Sequence, residues 1–219
     1  MTNTFKITPP ENVWTIQGVE HQGGIYTARL LNGLLNDGTE RTQPECAALR
    51  KKAGRGELYT PTLPEVHSLA NTLYKNRKGR FKEQVEEVRE FIEDKARCNG
   101  IFTLTSVVYT PSGPDRLCHL PSERSIRINL VGKDELIRDT KNPKTYKALF
   151  GTSDSVSKIS DVYHWLLGNE LHMFRPNKRE DEDFEVVAGI LILFYGTSLY
   201  CDGNPARDAS LGVSFTREK

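Results

Sequence analysis

The first residues that could do chemistry lie between positions 18 and 24, where three glycines flank His21. A strand candidate precedes this segment at 13–17, and a helical pattern follows it at 25–35. A strand, a flexible loop and a helix N-terminus together aim backbone N–H groups and a positive dipole end at an anion. The segment therefore predicts a phosphate-loop-like site, with His21 as an anion contact or a base. The predicted loop glycines are Gly18, Gly23 and Gly24.

This segment lacks part of the complete phosphate-loop motif. The motif G-x-x-x-x-G-K-[ST] requires a lysine and a hydroxyl residue after the second glycine, whereas this chain has Gly24 and Ile25 there. The charge that neutralises the outer phosphates is missing, and a plain chain reversal explains the same glycines. An anion-binding loop and a simple turn therefore both stay open.

A second candidate is the basic segment 74–82, with the sequence YKNRKGRFK. Lysine and arginine release counterions from phosphates, and an aromatic ring stacks on a base, so the segment favours contact with RNA or DNA. Four glutamates follow within 83–90 and would cancel much of this potential, so a solvated turn is the alternative. The predicted contact residues are Tyr74, Lys75, Arg77, Lys78, Arg80 and Lys82.

His119 is a second candidate base, at the end of a predicted hairpin strand and directly after Cys118. A cysteine nucleophile beside a histidine base is one chemistry that these residue types allow. Adjacent residues on a strand point to opposite faces, so we predict that the two side chains do not meet. A histidine at a polar strand end is the alternative interpretation.

Metal ligation and cofactor binding are not predicted from this sequence. His164 and His172 lack the four-residue spacing of helical zinc ligands. The four cysteines are far apart and form no C-x-x-C pair. We therefore expect no metal site and no cofactor.

Composition and length restrict the class of protein further. The chain has 219 residues, with 30 Lys+Arg against 29 Asp+Glu, so its formal net charge is +1. No global field steers it towards nucleic acid, and any such binding requires a local patch. At roughly 150 residues per domain, we predict one domain over 1–219, with a possible division near residue 100 into a helical part and a sheet-rich part.

Targeting signals are absent from the sequence pattern. The first residues lack a basic start followed by an apolar stretch. The longest apolar run, 186–195, is about half of the roughly 20 residues that a membrane-spanning helix needs. We therefore expect a soluble, cytoplasmic protein with reduced thiols and no membrane partner.

The elements that position these residues predict an α+β fold. Two capping boxes, Thr42 with Glu45 and Thr62 with Glu65, begin helices. The second of these helices and a helix over 81–96 form a predicted helical hairpin. Later elements are strands at 101–109, 117–120 and 126–130, helices at 142–151 and 156–167, a buried strand at 186–195, and strands at 199–201 and 211–215. Turns are predicted over 110–115 and 196–198.

These patterns predict a mostly antiparallel sheet from the C-terminal half, with amphipathic helices packed on it and a mainly helical N-terminal part. Three function classes follow. Because no catalytic motif is complete, we favour a non-enzymatic binding protein that contacts an anionic partner such as nucleic acid. A small hydrolytic or nucleotide-handling enzyme that uses segment 18–24 with His21 or His119 as base is the alternative. A protein-interaction or structural domain with an exposed aromatic surface around Trp165 is the third. The sequence does not indicate the oligomeric state.

Overall fold

The computed structural model describes residues 5–9, 11–98, 100–109, 114–120, 124–129, 134–174, 186–193, 198–202 and 210–218. Within these ranges the helices are α1 (Gln43–Lys52), α2 (Leu63–Asn76), α3 (Lys82–Cys98), α4 (Pro143–Leu149) and α5 (Val156–Leu167). The strands are β1 (Lys6–Thr8), β2 (Val13–His21), β3 (Gly24–Leu34), β4 (Ile101–Tyr109), β5 (Asp115–Cys118), β6 (Ile126–Ile128), β7 (Glu135–Leu136), β8 (His172–Phe174), β9 (Val186–Leu193), β10 (Ser198–Asp202) and β11 (Leu211–Arg217). The predicted α+β class is confirmed.

The described strands form two sheets. One has the order β1-β2-β3-β11, and the other has the order β6-β5-β4-β9-β10-β8-β7. The mostly antiparallel pairing is confirmed, with a parallel pair between β8 and β10. The predicted buried strand at 186–195 corresponds to β9, which lies between β4 and β10. The predicted turns over 110–115 and 196–198 lie mostly outside the described residues.

The predicted strand at 13–17 lies within β2, but the helix predicted at 25–35 is instead a strand of the N-terminal sheet. Residues 25–35 have apolar side chains at helical spacing, but they form β3, which pairs with β2 on one edge and β11 on the other. The buried side chains of β3 are Ala28 and Leu30, two residues apart, as on one face of a strand. Ladder pairing along both edges therefore outweighs the local spacing, and the helix prediction for this segment is wrong. A division near residue 100 would separate β3 from β11, and the single domain stays a prediction.

The glycine segment forms a hairpin instead of a phosphate loop. Gly18 lies inside β2 with a φ of +78°, at an irregularity of the ladder between Ile16 and Val19. Gln22 and Gly23 have φ of +45° and +73° and connect β2 to β3. A two-residue hairpin turn of this type requires positive φ at both central residues. No helix begins after these glycines, so the predicted strand–loop–helix geometry is wrong.

The helices follow the predicted signals closely. The hydroxyl of Thr62 accepts from the N–H of Glu65, whose carboxylate accepts from the Thr62 N–H, and α1 begins with the same reciprocal pair. Helices α2 and α3 form the predicted hairpin, and α5 ends at Gly168 with a φ of +79°. Their apolar faces join both sheets in one buried cluster. Helix capping was therefore readable from the sequence.

Glu65 is the centre of a buried polar network as well as a capping residue. Its carboxylate accepts two hydrogen bonds from the Arg50 guanidinium, at 2.6 Å and 2.8 Å, and one from the Tyr59 hydroxyl at 3.1 Å. Tyr59 also pairs its backbone with Val213 of β11. Burial alone raises the pKa of Glu65, but the hydrogen bonds and charge of Arg50 outweigh it and hold that pKa below its usual value.

Replacing Arg50 measures how much this network contributes to the free energy of unfolding. We expect Arg50→Ala to lower the free energy of unfolding by about 3–5 kcal/mol, because it leaves the Glu65 carboxylate buried without a counter-charge. Arg97→Ala is the matched control, since Arg97 is half-exposed and pairs with Glu93 on the surface of α3, where such pairs contribute about 0–1 kcal/mol. Urea denaturation at neutral pH measures both changes, and equal small losses would contradict the network's role.

The same network makes a prediction about pH. A carboxylate with a lowered pKa in the folded state stabilises the protein fully above its unfolded pKa of about 4.3, and this contribution is lost as pH falls through the folded pKa. Stability of the wild-type protein should therefore fall more steeply on acidification than that of Arg50→Ala. Parallel pH–stability curves would show that Arg50 does not lower the pKa of Glu65.

Candidate functional site

A polar cleft of about 460 Å³ opens between the β2–β3 turn, helix α2 and the loop from α4 to α5. This volume lies in the range of about 300–1,000 Å³ that is typical of small-molecule sites. Part of the predicted glycine segment, including Gly23 and Gly24, borders it. The polar side chains that matter for its chemistry are His21, His67, Ser68, Asn71, Lys75 and Asp154.

Each wall of the cleft follows from local structure. Helix α2 supplies His67, Asn71 and Lys75 at four-residue steps, which places them along one side of the helix. The loop between α4 and α5 passes close to α2 at Gly151, where an added Cβ would lie 2.7 Å from the Cβ of Pro64. A residue with a side chain does not fit there without a shift, so glycine brings this loop to the rim of the cleft.

His21 and Ser68 contact each other at the cleft wall. The His21 Nδ1 lies 2.9 Å from the Ser68 Oγ, within hydrogen-bond distance. The His21 imidazole is 9% exposed and packs against the rings of Tyr26 and Phe215, with centroids 5.6 Å and 5.3 Å away. Burial lowers the pKa of His21, which favours the neutral ring at neutral pH. A neutral imidazole can accept the hydroxyl proton of Ser68.

His67 is a buried polar residue in one wall of the cleft. Its side chain is 2% exposed and lies between Phe150 and the stacked ring of Tyr163. Within the part of the chain that the structure describes, neither of its ring nitrogens has a partner, and the Oδ1 of Asn71 has none either. Burial lowers the pKa of His67 to about 4. An unpaired buried donor or acceptor costs about 1–3 kcal/mol, so the His67 imidazole lowers the stability of the folded protein.

The charges around the cleft are paired. Asp154 accepts hydrogen bonds from the Asn71 amide at 3.1 Å and from the Lys158 ammonium at 2.8 Å. Burial tends to raise the pKa of Asp154, but Lys158 outweighs it and lowers that pKa. At the opposite rim Lys75 pairs with Glu20, and these two side chains are 40% and 57% exposed. The Lys75–Glu20 pair is therefore weak and open to exchange with another anion.

The predicted basic segment forms the turn between α2 and α3. The Arg77 guanidinium lies 3.6 Å from the centroid of the Tyr74 ring, and the edge of that ring meets Trp165. Tyr74 was predicted to stack on a base; both contacts involve its ring, and the stacking stays a prediction. Trp165 packs against the main core and is partly buried. The exposed aromatic surface predicted around it is therefore smaller than a fully exposed ring would give.

The remaining cations of the turn lie on the surface of the protein. Lys78, Arg80 and Lys82 are exposed, and none of them has an acidic partner among the described residues, although Arg80 lies 5.6 Å from the centroid of the Phe81 ring. This arrangement fits both a solvated turn and an anion contact. Contact with nucleic acid therefore stays a prediction, and it now depends on Lys78, Arg80 and Lys82.

His119 has a structural environment and does not line the cleft. Its Nε2 donates to the carbonyl oxygen of Ala148 at 3.1 Å. Its Nδ1 then accepts from the hydroxyl of Thr105 at 3.2 Å, and that hydroxyl accepts from the N–H of Leu63. Both ring nitrogens join β5 to neighbouring elements, and the structure does not pair His119 with His21. Burial raises the pKa of the neighbouring Cys118 thiol, which disfavours a thiolate nucleophile.

The predicted site residues that line the cleft are His21, Gly23, Gly24 and Lys75, the last of them predicted as part of the basic segment. His67, Ser68, Asn71 and Asp154 were not predicted. His67, Asn71 and Lys75 interrupt the apolar pattern of α2 at regular four-residue steps, and this polar stripe was the available signal. Asp154 lies three residues after Gly151, in a loop whose approach to α2 depends on tertiary packing. Its partner Asn71 lies on another element, so no local pattern joins the two.

Comparison of the chain with protein-family models, curated proteins and solved structures finds no match. No helix of the described residues is both long enough and apolar enough to span a bilayer. The cytoplasmic location stays a prediction.

Replacing His67 tests whether its buried imidazole destabilises the folded protein. We expect His67→Phe to raise the free energy of unfolding by about 1–3 kcal/mol at neutral pH, because it removes unpaired polar atoms and keeps a ring of similar shape. The gain should grow by about 1.4 kcal/mol per pH unit below about 6.5, since only unfolded His67 takes up a proton there until the folded pKa is reached. A loss of stability in thermal or urea denaturation would contradict the unpaired state of His67.

Proposed function

We propose that the protein binds a small polar molecule with an anionic group in the cleft between α2 and the β2–β3 turn. The observation that carries this proposal is the polar cleft of about 460 Å³ with Lys75 at its rim, which is also lined by His67 and Asn71, whose ring nitrogens and Oδ1 are buried and have no hydrogen-bond partner among the described residues. Polar groups in this state are rare in folded proteins, and each calls for a physical reason. A ligand that displaces the side chains covering them and then pairs with them would supply that reason.

The polar part of the ligand is inferred from the His67 ring nitrogens and the Asn71 Oδ1, which have no hydrogen-bond partner among the described residues. A neutral imidazole offers one donor and one acceptor, and the amide oxygen of Asn71 offers an acceptor. A ligand with hydroxyl, amide or heteroaromatic groups matches this set. Because His67 is neutral over the physiological range, this end of the cleft favours an uncharged polar group.

The anionic part of the ligand follows from Lys75. Its ammonium lies at the cleft rim and pairs with Glu20, and both side chains face solvent. An exposed pair of this kind contributes about 0–1 kcal/mol, so a phosphate or carboxylate can replace Glu20 at little cost. The cleft volume of about 460 Å³ accommodates a molecule of nucleotide size.

Adenosine 5′-monophosphate and inorganic phosphate are suitable probes of this proposal. We expect adenosine 5′-monophosphate to shift the amide resonances of the β2–β3 turn and the ring resonances of His67 in NMR titrations, with phosphate alone binding more weakly. Lys75→Met should weaken binding about tenfold or more, the value of a hydrogen bond to a charged group. Lys52→Met, on the exposed face of α1, is the control and should leave affinity unchanged. No shift with either probe would overturn the proposal.

A second candidate function is contact with single-stranded nucleic acid through the α2–α3 turn. The observation that favours it is the set of exposed cations without acidic partners among the described residues: Lys78, Arg80 and Lys82. Three phosphate contacts to a single strand give a slope of log affinity on log salt of about −2. Binding of this kind is weak and independent of sequence.

Fluorescence anisotropy with labelled single-stranded RNA tests this second candidate. We expect salt-dependent binding that the triple variant Lys78→Ala, Arg80→Ala, Lys82→Ala abolishes. The triple variant Lys51→Ala, Lys52→Ala, Arg55→Ala removes the same charge from an exposed region outside the turn and serves as control. Equal losses in both variants would show that only net charge matters, and no binding at low salt would remove the candidate.

A further inference from the structure

We infer that Ser68 and His21 form a nucleophile–base pair, and that the cleft hydrolyses small carboxylic esters that carry an anionic group. This inference rests on the proposed function, because it names the reaction and the substrate class of the same cleft. It also assigns a chemical use to the contact between β2 and α2.

The distance between the two side chains suits proton transfer. The Ser68 Oγ lies 2.9 Å from the His21 Nδ1, within the range of about 2.6–3.2 Å expected for a nucleophile and its base. Ser68 is half-buried and lines the cleft, so a bound ligand can reach its hydroxyl. With the ring proton on Nε2, Nδ1 accepts the hydroxyl hydrogen, which is the state that a general base needs.

Both side chains are held by regular structure. His21 ends β2, and its ring is fixed by Tyr26 and Phe215, while Ser68 lies in the middle of α2. Sites on strands and helices keep catalytic groups in position better than sites on loops. The pair therefore requires no rearrangement before a substrate binds.

The neighbouring turn can stabilise negative charge. Gln22 and Gly23 directly follow His21 and border the cleft. Neither residue belongs to the β2–β3 ladder, whose last pair is His21 with Gly24. Backbone N–H groups are the usual donors to the oxyanion of a tetrahedral intermediate, and these two residues line the same cleft as Ser68.

Lys75 defines the substrate further. It follows Ser68 by seven residues on α2, a separation of about 10 Å along the helix axis at about 1.5 Å per residue. A substrate whose anionic group binds Lys75 while its ester carbonyl lies at Ser68 must span a comparable distance, less the reach of the lysine side chain. Esters with the anionic group several bonds from the carbonyl meet this condition.

The reaction balances with water as the only co-substrate. The Ser68 Oγ forms a bond to the carbonyl carbon while its proton passes to His21 Nδ1. The ester C–O bond then breaks, and the leaving alkoxide takes that proton to give the alcohol. Water attacks the acyl-serine and gives a proton to Nδ1, after which Ser68 leaves, takes the proton back and releases the acid.

Labelling of the full chain with a fluorophosphonate probe tests this pair. The probe phosphonylates an activated serine with loss of fluoride, and peptide mass spectrometry locates the adduct. We expect the adduct on Ser68, with a labelling rate about 100-fold lower in His21→Gln, as for loss of a general base. Ser157→Ala, an exposed serine of α5 outside the cleft, should label like wild type. The rate of p-nitrophenyl acetate hydrolysis should fall in Ser68→Ala and stay at the wild-type value in Ser157→Ala.

A pH profile of the wild-type protein keeps the test independent of any misfolded variant. The labelling rate should decline as His21 becomes protonated, and it should stay constant above that transition. An unlabelled Ser68, or a rate that neither pH nor His21→Gln changes, would overturn the inference. If adenosine 5′-monophosphate still binds in that case, only the catalytic pair fails. If the probe labels Ser68 but no anionic ligand binds, the proposed ligand class fails instead.

Discussion

The buried carboxylate of Glu65 is the constraint on which the position of the cleft depends. It caps the first turn of α2, accepts both arms of the Arg50 guanidinium from α1, and accepts the Tyr59 hydroxyl from the segment that pairs with β11. Three separate parts of the chain therefore converge on one charge. Removing a partner from a buried ion pair is costly because the remaining charge stays desolvated. The start of α2 is fixed in this way, and with it the helix that forms one wall of the cleft.

The helices were predictable because their signals are local. The capping box at Thr62 and Glu65 and the glycine at 168 each act within a few residues, and the structure keeps them. The failure at β3 has a different cause, since its apolar residues suit a helix and only the pairing with β2 and β11 makes it a strand. A simple turn was one of the two interpretations of the glycine segment, but a β-hairpin was not predicted there, because Gln-Gly is a weaker hairpin signal than Asn-Gly.

The candidate site shows the same division between local and distant information. His21 was singled out as part of a glycine segment, but its partner Ser68 lies 47 residues away on α2. Helix α2 places His67 among aromatic rings, where an apolar residue would be more stable. Such a conflict between residue type and environment is expected where function outweighs stability. The sequence shows the polar stripe on α2, whereas only the fold shows that it faces a cleft.

The most direct test of this account is a long-range ¹H–¹⁵N NMR spectrum of the histidine side chains, recorded from neutral pH towards about pH 5 with and without adenosine 5′-monophosphate. The account predicts that His67 stays neutral throughout, since burial lowers its pKa to about 4, and that its ring nitrogens shift when the nucleotide binds. A His67 that titrates near its usual value of about 6.5, with ring resonances that the nucleotide leaves unchanged, would contradict it.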